Sequence, residues 1–203
     1  MVKDDVDVRV FVAAGCKTPK NSKITEAARK MGEFLGKKQY VYLQGCNEKG
    51  IMGATYNEFI KYNTKVKLVD LSIVYFDSYR EGMIGDRLSS RCLNTRLKNF
   101  ADNTDVLVVF PGANGTLHEF ATFFEINRQY PHAYEIILVN IDGFYDKLIE
   151  FYRVQEEEGL CHKGEFDDLV NVVGTVEEAI EIIRNYKRRP AVDRFIPKYK
   201  REK

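Results

Sequence analysis

The chain has 203 residues, 44% of them hydrophobic and 30% charged, with a formal net charge of +1. This is enough for one domain with a substantial core, and the balanced charge gives no argument for a nucleic-acid or membrane-surface partner. No stretch approaches the ~20 consecutive apolar residues of a membrane-spanning helix.

The opening MVKDDVDVRV is charged and runs into a Val-rich strand over Val6–Ala14, unlike a signal peptide. Gly15 ends that strand, and a turn containing Pro19 leads to Ser22 as N-cap. Ile24, Ala27, Ala28, Met31, Phe34 and Leu35 then recur at helical spacing up to Gly36. Tyr40–Leu43 is a second strand. Between Gly45 and Gly53 the sequence GCNEKGIMG reads as a glycine-bearing turn, and Ala54–Lys61 as the helix after it. Val66–Phe76 contains a third strand, Asp77–Gly85 is a polar loop, and Leu88–Cys92 is read as a short strand. Leu93–Asn103 is a helix with Arg96 one position off its apolar stripe.

Val106–Phe110 is a continuous apolar strand that stops at Pro111. Gly112, Ala113, Asn114 and Gly115 form a turn, and Thr116–Arg128 is an amphipathic helix. Ile136–Asn140, a helix over Phe144–Glu158 and a strand over Leu169–Val173 follow. Thr175, with Glu178 three residues on, makes a capping box for a last helix ending near Tyr186. Strands this uniformly apolar, alternating with helices, predict an α/β fold: a single Rossmann-like domain over 1–186, its parallel sheet covered by helices on both faces. Residues 187–203 carry eight Lys/Arg and two prolines, and read as a basic C-terminal tail, solvated or laid on a partner subunit.

The chemistry concentrates at 111–119. Glycines at 112 and 115 allow positive φ and close approach of a ligand to the backbone. The helix start leaves N–H groups unpaired toward the turn, and its dipole adds roughly 0.3–1 kcal/mol for an anion. Thr116 adds a hydroxyl. Glu119 falls one helical turn, ~5 Å, beyond the anion site, placed to act on what the anion carries. The plain alternative is a Glu that only favours the helix start. Cys16, Cys46, Cys92 and Cys161 have no paired spacing, the pattern of reduced thiols in a cytosolic protein. His118, His132 and His162 make no ligand pattern, so no metal is expected. His118 points about 100° around the helix from Glu119 and reads as structural or at the pocket rim rather than catalytic.

Pro111, Gly112, Gly115, Thr116 and Glu119 resemble the PGGxGTxxE motif of the Lonely Guy family, phosphoribohydrolases of cytokinin riboside 5′-monophosphates often mislabelled lysine decarboxylases. Arg96, fifteen residues before Pro111, stands where that family carries a helix arginine. Gly50-Ile51-Met52-Gly53 resembles its GLMG, and Gly143-Phe144-Tyr145-Asp146 its GFYD. The likeness spans about residues 6–186 in the family's order. It implies Glu119 and Arg96 as catalytic residues and Gly112, Ala113, Asn114, Gly115 and Thr116 around a 5′-phosphate. Gly45, Met52 and Gly53 would shape the pocket. It further implies a homodimer, no cofactor, and hydrolysis of a nucleoside 5′-monophosphate (cytokinin, AMP or CMP type) to free base and ribose 5-phosphate. The chain departs from the motifs at Ala113, at Leu97 and at Gln44-Gly45-Cys46. A non-catalytic nucleotide-binding sensor is the alternative. A dinucleotide oxidoreductase is disfavoured, because the turn from Gly15 to Ser22 lacks GxGxxG.

Overall fold

The computed structural model describes residues 7–71, 82–188 and 194–195. The parts of the Val66–Phe76, Asp77–Gly85 and tail expectations at 72–81, 189–193 and 196–203 lie outside the described residues. Seven parallel strands form one sheet: β1 (Arg9–Ala13), β2 (Val41–Gln44), β3 (Val66–Val69), β4 (Asp86–Leu88), β5 (Val106–Val109), β6 (Glu135–Val139) and β7 (Asn171–Val173). Their spatial order is β4-β3-β2-β1-β5-β6-β7. The helices are α1 (Ser22–Lys37), α2 (Gly50–Phe59), α3 (Leu93–Asp102), α4 (Asn114–Gln129), α5 (Asp146–Glu157), α6 (Glu165–Leu169) and α7 (Val176–Asn185).

Strand alternation assigns the two faces. Val10 and Val12 of β1, and Val106 and Val108 of β5, pack under α1, α2 and α7. Phe11 and Ala13, and Leu107 and Val109, pack under α3, α4, α5 and α6. Strands buried on both sides have no polar face, which is why the sequence reads as apolar runs. The expected doubly covered parallel sheet is therefore the one observed.

Several boundaries differ from the expectations. Asn21 rather than Ser22 caps α1, its side chain accepting from the Lys23 N–H at 3.1 Å. The short strand is Asp86–Leu88, not Leu88–Cys92; Cys92 is already the N-cap of α3. Helix α2 begins at Gly50, so the 50–53 motif is its first turn rather than a loop before it. The last strand is shorter than expected because α6 takes residues up to Leu169. The Thr175 capping box is present as predicted.

The amino ends of the strands are closed by an ion cluster. Asp105, fully buried just before β5, accepts from Arg9 at 2.8 Å, Arg194 at 2.7 Å and Arg188 at 3.3 Å. Burial by itself would raise this carboxyl; hydrogen bonds and charge from Arg9, with the charge of Arg194, outweigh it and hold the carboxyl below the usual range. Arg194 also donates to the carbonyls of Thr104 and Ala133. Arg194, within the expected basic tail, is thus buried against its own sheet.

Candidate functional site

Strand order reverses between β1 and β5, since the chain runs from β1 outward to β4 and then returns to β5 on the other side. In open parallel sheets the crevice at the carboxyl ends of the strands opens at such a point. A cavity of about 540 Å³ lies there, walled by the β1–α1 turn, the segment after β2, Arg96 of α3 and the start of α4. A larger hollow of about 830 Å³ lies between the starts of α1 and α7. Its charges are already matched, Lys23 to Asp142 and Lys30 to Glu177, and among its described lining residues the Thr25 hydroxyl is a buried polar atom without a partner.

The start of α4 supplies one wall. Ala113 is the N-cap, in extended conformation at φ −99°, ψ −159°, and no side chain caps the helix. The Leu117 N–H donates to the Ala113 carbonyl at 3.1 Å, but among the described residues no backbone carbonyl accepts from the N–H groups of Asn114, Gly115 or Thr116. Those groups and the helix dipole are available to an anion. Neither Gly112 nor Gly115 has positive φ, contrary to expectation. Gly112 is needed for space instead: a Cβ there would overlap the Thr116 side chain. Gly115 lies within α4 and has nothing within 4 Å of where a Cβ would stand. Thr116 is buried, and Ala113, Gly115 and Thr116 all line the cavity. Gly112 and Asn114 flank that wall without lining it.

Glu119 and Arg96 meet inside the cavity, Nη1 to Oε1 at 4.0 Å. Burial pushes the Glu119 carboxyl up to about 7, against a lowering by the Arg96 charge. Arg96 is held independently of Glu119. Its Nε donates to the Val69 carbonyl at 3.3 Å and its Nη2 to the Gly45 carbonyl at 3.1 Å. Its guanidinium lies 5.2 Å from the Phe100 ring, one turn further along α3. Phe100 stacks on Phe11 of the central strand, ring centroids 4.0 Å apart. The arginine is thus set by the ends of β2 and β3 and by a core aromatic pair.

The 50–53 motif does something else. Gly50 has φ +61°, and a Cβ on it would meet the backbone of Cys16 and Lys17. The N–H groups of Ile51 and Met52 donate to the Gly15 carbonyl at 3.0 and 3.2 Å. This helix start is consumed in holding the β1–α1 turn. Met52 lines the cavity. Gly53 does not; it packs against the Glu48 backbone, where a Cβ would collide. Gly45 lines the cavity beside Arg96. His118 is exposed and outside the cavity lining.

Sequence reasoning missed Lys17 and Lys49, two cations on the cavity wall. Their turns were visible, but nothing in the sequence showed that Gly50 brings the two turns together. It also missed Tyr145, whose hydroxyl donates to the Phe110 carbonyl at 2.7 Å and braces the turn into α4. The GFYD resemblance marked the residue without giving its partner.

Residues 48–184, more than half of the chain, match the family described as "Possible lysine decarboxylase". The chain belongs to this family. Its curated relatives carry the name that the Lonely Guy resemblance implied. A probable cytokinin riboside 5′-monophosphate phosphoribohydrolase of Oryza sativa subsp. japonica is 23% identical, over 94% of this chain and 75% of that one. A cytokinin riboside 5′-monophosphate phosphoribohydrolase of Arabidopsis thaliana is 22% identical, over 88% of this chain and 82% of that one. Among solved structures, the Moco carrier protein of Chlamydomonas reinhardtii superposes with a TM-score of 0.64 at 16% identity, covering 88% and 96% of the two chains. DNA processing protein A of Helicobacter pylori superposes with a TM-score of 0.59 at 11% identity, covering 89% and 82%. These two likenesses concern the fold alone. In this Lonely Guy relative Ala113 replaces a motif glycine, and its negative φ explains why a side chain is accommodated there.

Proposed function

We propose that this protein hydrolyses the N-glycosidic bond of a nucleoside 5′-monophosphate, releasing the free base and ribose 5-phosphate. The observation that carries the reading is a buried carboxylate, Glu119, poised near neutrality one helical turn beyond an uncapped helix start. In this reading the 5′-phosphate is held by the α4 N–H groups at Ala113–Thr116 with the Thr116 hydroxyl, while Gly112 and Asn114 shape the turn. Gly45 and Met52 bound the pocket, and Gly53 supports the wall behind it. The ribose then lies over Glu119. As the C1′–N bond breaks, its electron pair leaves with the base and C1′ gains oxocarbenium character. Glu119 as carboxylate stabilises that charge and accepts a proton from the water that bonds to C1′; that proton then passes to the departing base, which returns Glu119 to the carboxylate. Arg96 keeps the carboxylate oriented and favours its ionised form. No metal or redox cofactor enters the reaction. The proposal includes a cytoplasmic homodimer, as the family resemblance implies, and spans cytokinin, AMP and CMP types of base.

The second reading is a nucleotide carrier or sensor using the same cavity without turnover. It is favoured by the two backbone carbonyls that already engage Arg96. Incubation with a panel of nucleoside 5′-monophosphates, following base release, separates the two. Release that Glu119→Ala reduces at least about a hundredfold is expected. A nucleotide that binds but is never cleaved leaves the carrier reading; release insensitive to Glu119→Ala refutes the role of the carboxylate. Because the carboxyl titrates near about 7, activity should rise with pH through that value as the acid loses its proton.

A further inference from the structure

Burial raises the Glu119 carboxyl and the Arg96 charge opposes it, and Arg96 is held by a residue at the end of a different strand. Gly45 follows β2, and its carbonyl accepts from Arg96 Nη2 at 3.1 Å. A Cβ on Gly45 would overlap that same nitrogen and stand 3.2 Å from Met52 Cε. The nitrogen is the far end of a long side chain, so the overlap is relieved by moving the guanidinium, not the backbone. The guanidinium is already at the limit of ion-pair distance from Glu119, at 4.0 Å. Any displacement away from Gly45 therefore changes the charge that Glu119 meets.

We propose that Gly45 is a positioning residue: its bare Cα and its carbonyl form the slot that fixes the Arg96 guanidinium against Glu119. The inference rests on the reading of Arg96 and Glu119 as the working pair. Other titratable groups line the cavity: Lys17 from the β1–α1 turn, Lys49 at the start of α2, and the thiols of Cys16 and Cys46. His118, on α4 itself, is exposed. Arg96 is the charge that acts on the Glu119 carboxyl. Gly45 thus works through one side chain, and its effect should vanish when that side chain is gone.

The test is a titration that needs no turnover. The side-chain carboxyl carbon of Glu119 is followed by NMR against pH in the wild type, Gly45→Ala, Arg96→Ala and the double variant. Loss of an opposite charge at this distance raises a carboxyl by about one unit. Gly45→Ala should shift the midpoint away from that of the wild type, and adding it to Arg96→Ala should shift it no further. An unchanged midpoint in a folded Gly45→Ala protein overturns the proposal, and so does a further shift in the double variant. Should Gly45→Ala be too unstable to titrate, Gly45→Ala combined with Met52→Ala removes the second contact and carries the same test. In the hydrolysis assay, Gly45→Ala should lower kcat about tenfold or more with KM changed less. If no nucleotide is cleaved by the wild type, the proposed function fails while the titration still judges Gly45.

Discussion

Two helices begin beside the same cavity, both opened by glycine-bearing turns, and they use their first turns differently. At α2 the N–H groups of Ile51 and Met52 are bonded to the Gly15 carbonyl. At α4 the corresponding positions, Gly115 and Thr116, are uncapped and face the cavity. The local chemistry is alike, since every helix start leaves donors over. What differs is whether a neighbouring carbonyl reaches them first. A helix start is a binding site only where the fold has left it unsatisfied.

The largest test of this contrast exchanges glycine for alanine at each start. Gly50→Ala forces a left-handed backbone that costs about 1–2 kcal/mol, and it adds a collision with the backbone of Cys16 and Lys17, which cannot swing aside. Denaturant unfolding should show a loss beyond that figure. A smaller loss would mean that the clamp on Gly15 is loose. Next in size is a cap. Ala113→Ser offers a hydroxyl to the free Gly115 and Thr116 donors and should stabilise by about 1 kcal/mol, with weaker nucleotide binding by calorimetry. Lys49→Ser offers the same hydroxyl to donors already bonded, and thermal unfolding should barely change; equal gains at the two sites would break the comparison. Smallest is Gly115→Ala, in open space within a helix. It should stabilise by about 0.5–1 kcal/mol while its methyl narrows the cavity and weakens nucleotide binding.

The sequence made the fold legible because both faces of the central strands are covered: Val106–Val109 has no polar position to disguise it. The site was legible as far as spacing could carry it. Helical periodicity put Glu119 one turn beyond Gly115, and the family resemblance marked Arg96, which the fold brings to within 4.0 Å of it. What it did not give were effects of contacts between distant segments. Gly112 was expected to need positive φ, but its requirement is room for Thr116. Gly53 was expected at the pocket, but it serves the packing of Glu48. Both glycines are explained by a neighbour that only the folded chain brings close. The start of α2 was misjudged for the same reason, since the carbonyl that anchors it belongs to a turn thirty-five residues earlier in sequence, at Gly15.

The cluster around Asp105 gives the chain a dependence on its order of synthesis. Strands β1 and β5 emerge from the ribosome long before Arg194, whose guanidinium answers the Thr104 and Ala133 carbonyls and shares the Asp105 carboxylate. Until that arginine arrives, Arg9 alone among these early residues faces the carboxylate. Without Arg194 the Thr104 and Ala133 carbonyls at the amino ends of the strands would lose this donor. A chain cut before Arg194 would therefore differ from this one at the floor of the sheet, far from the cavity.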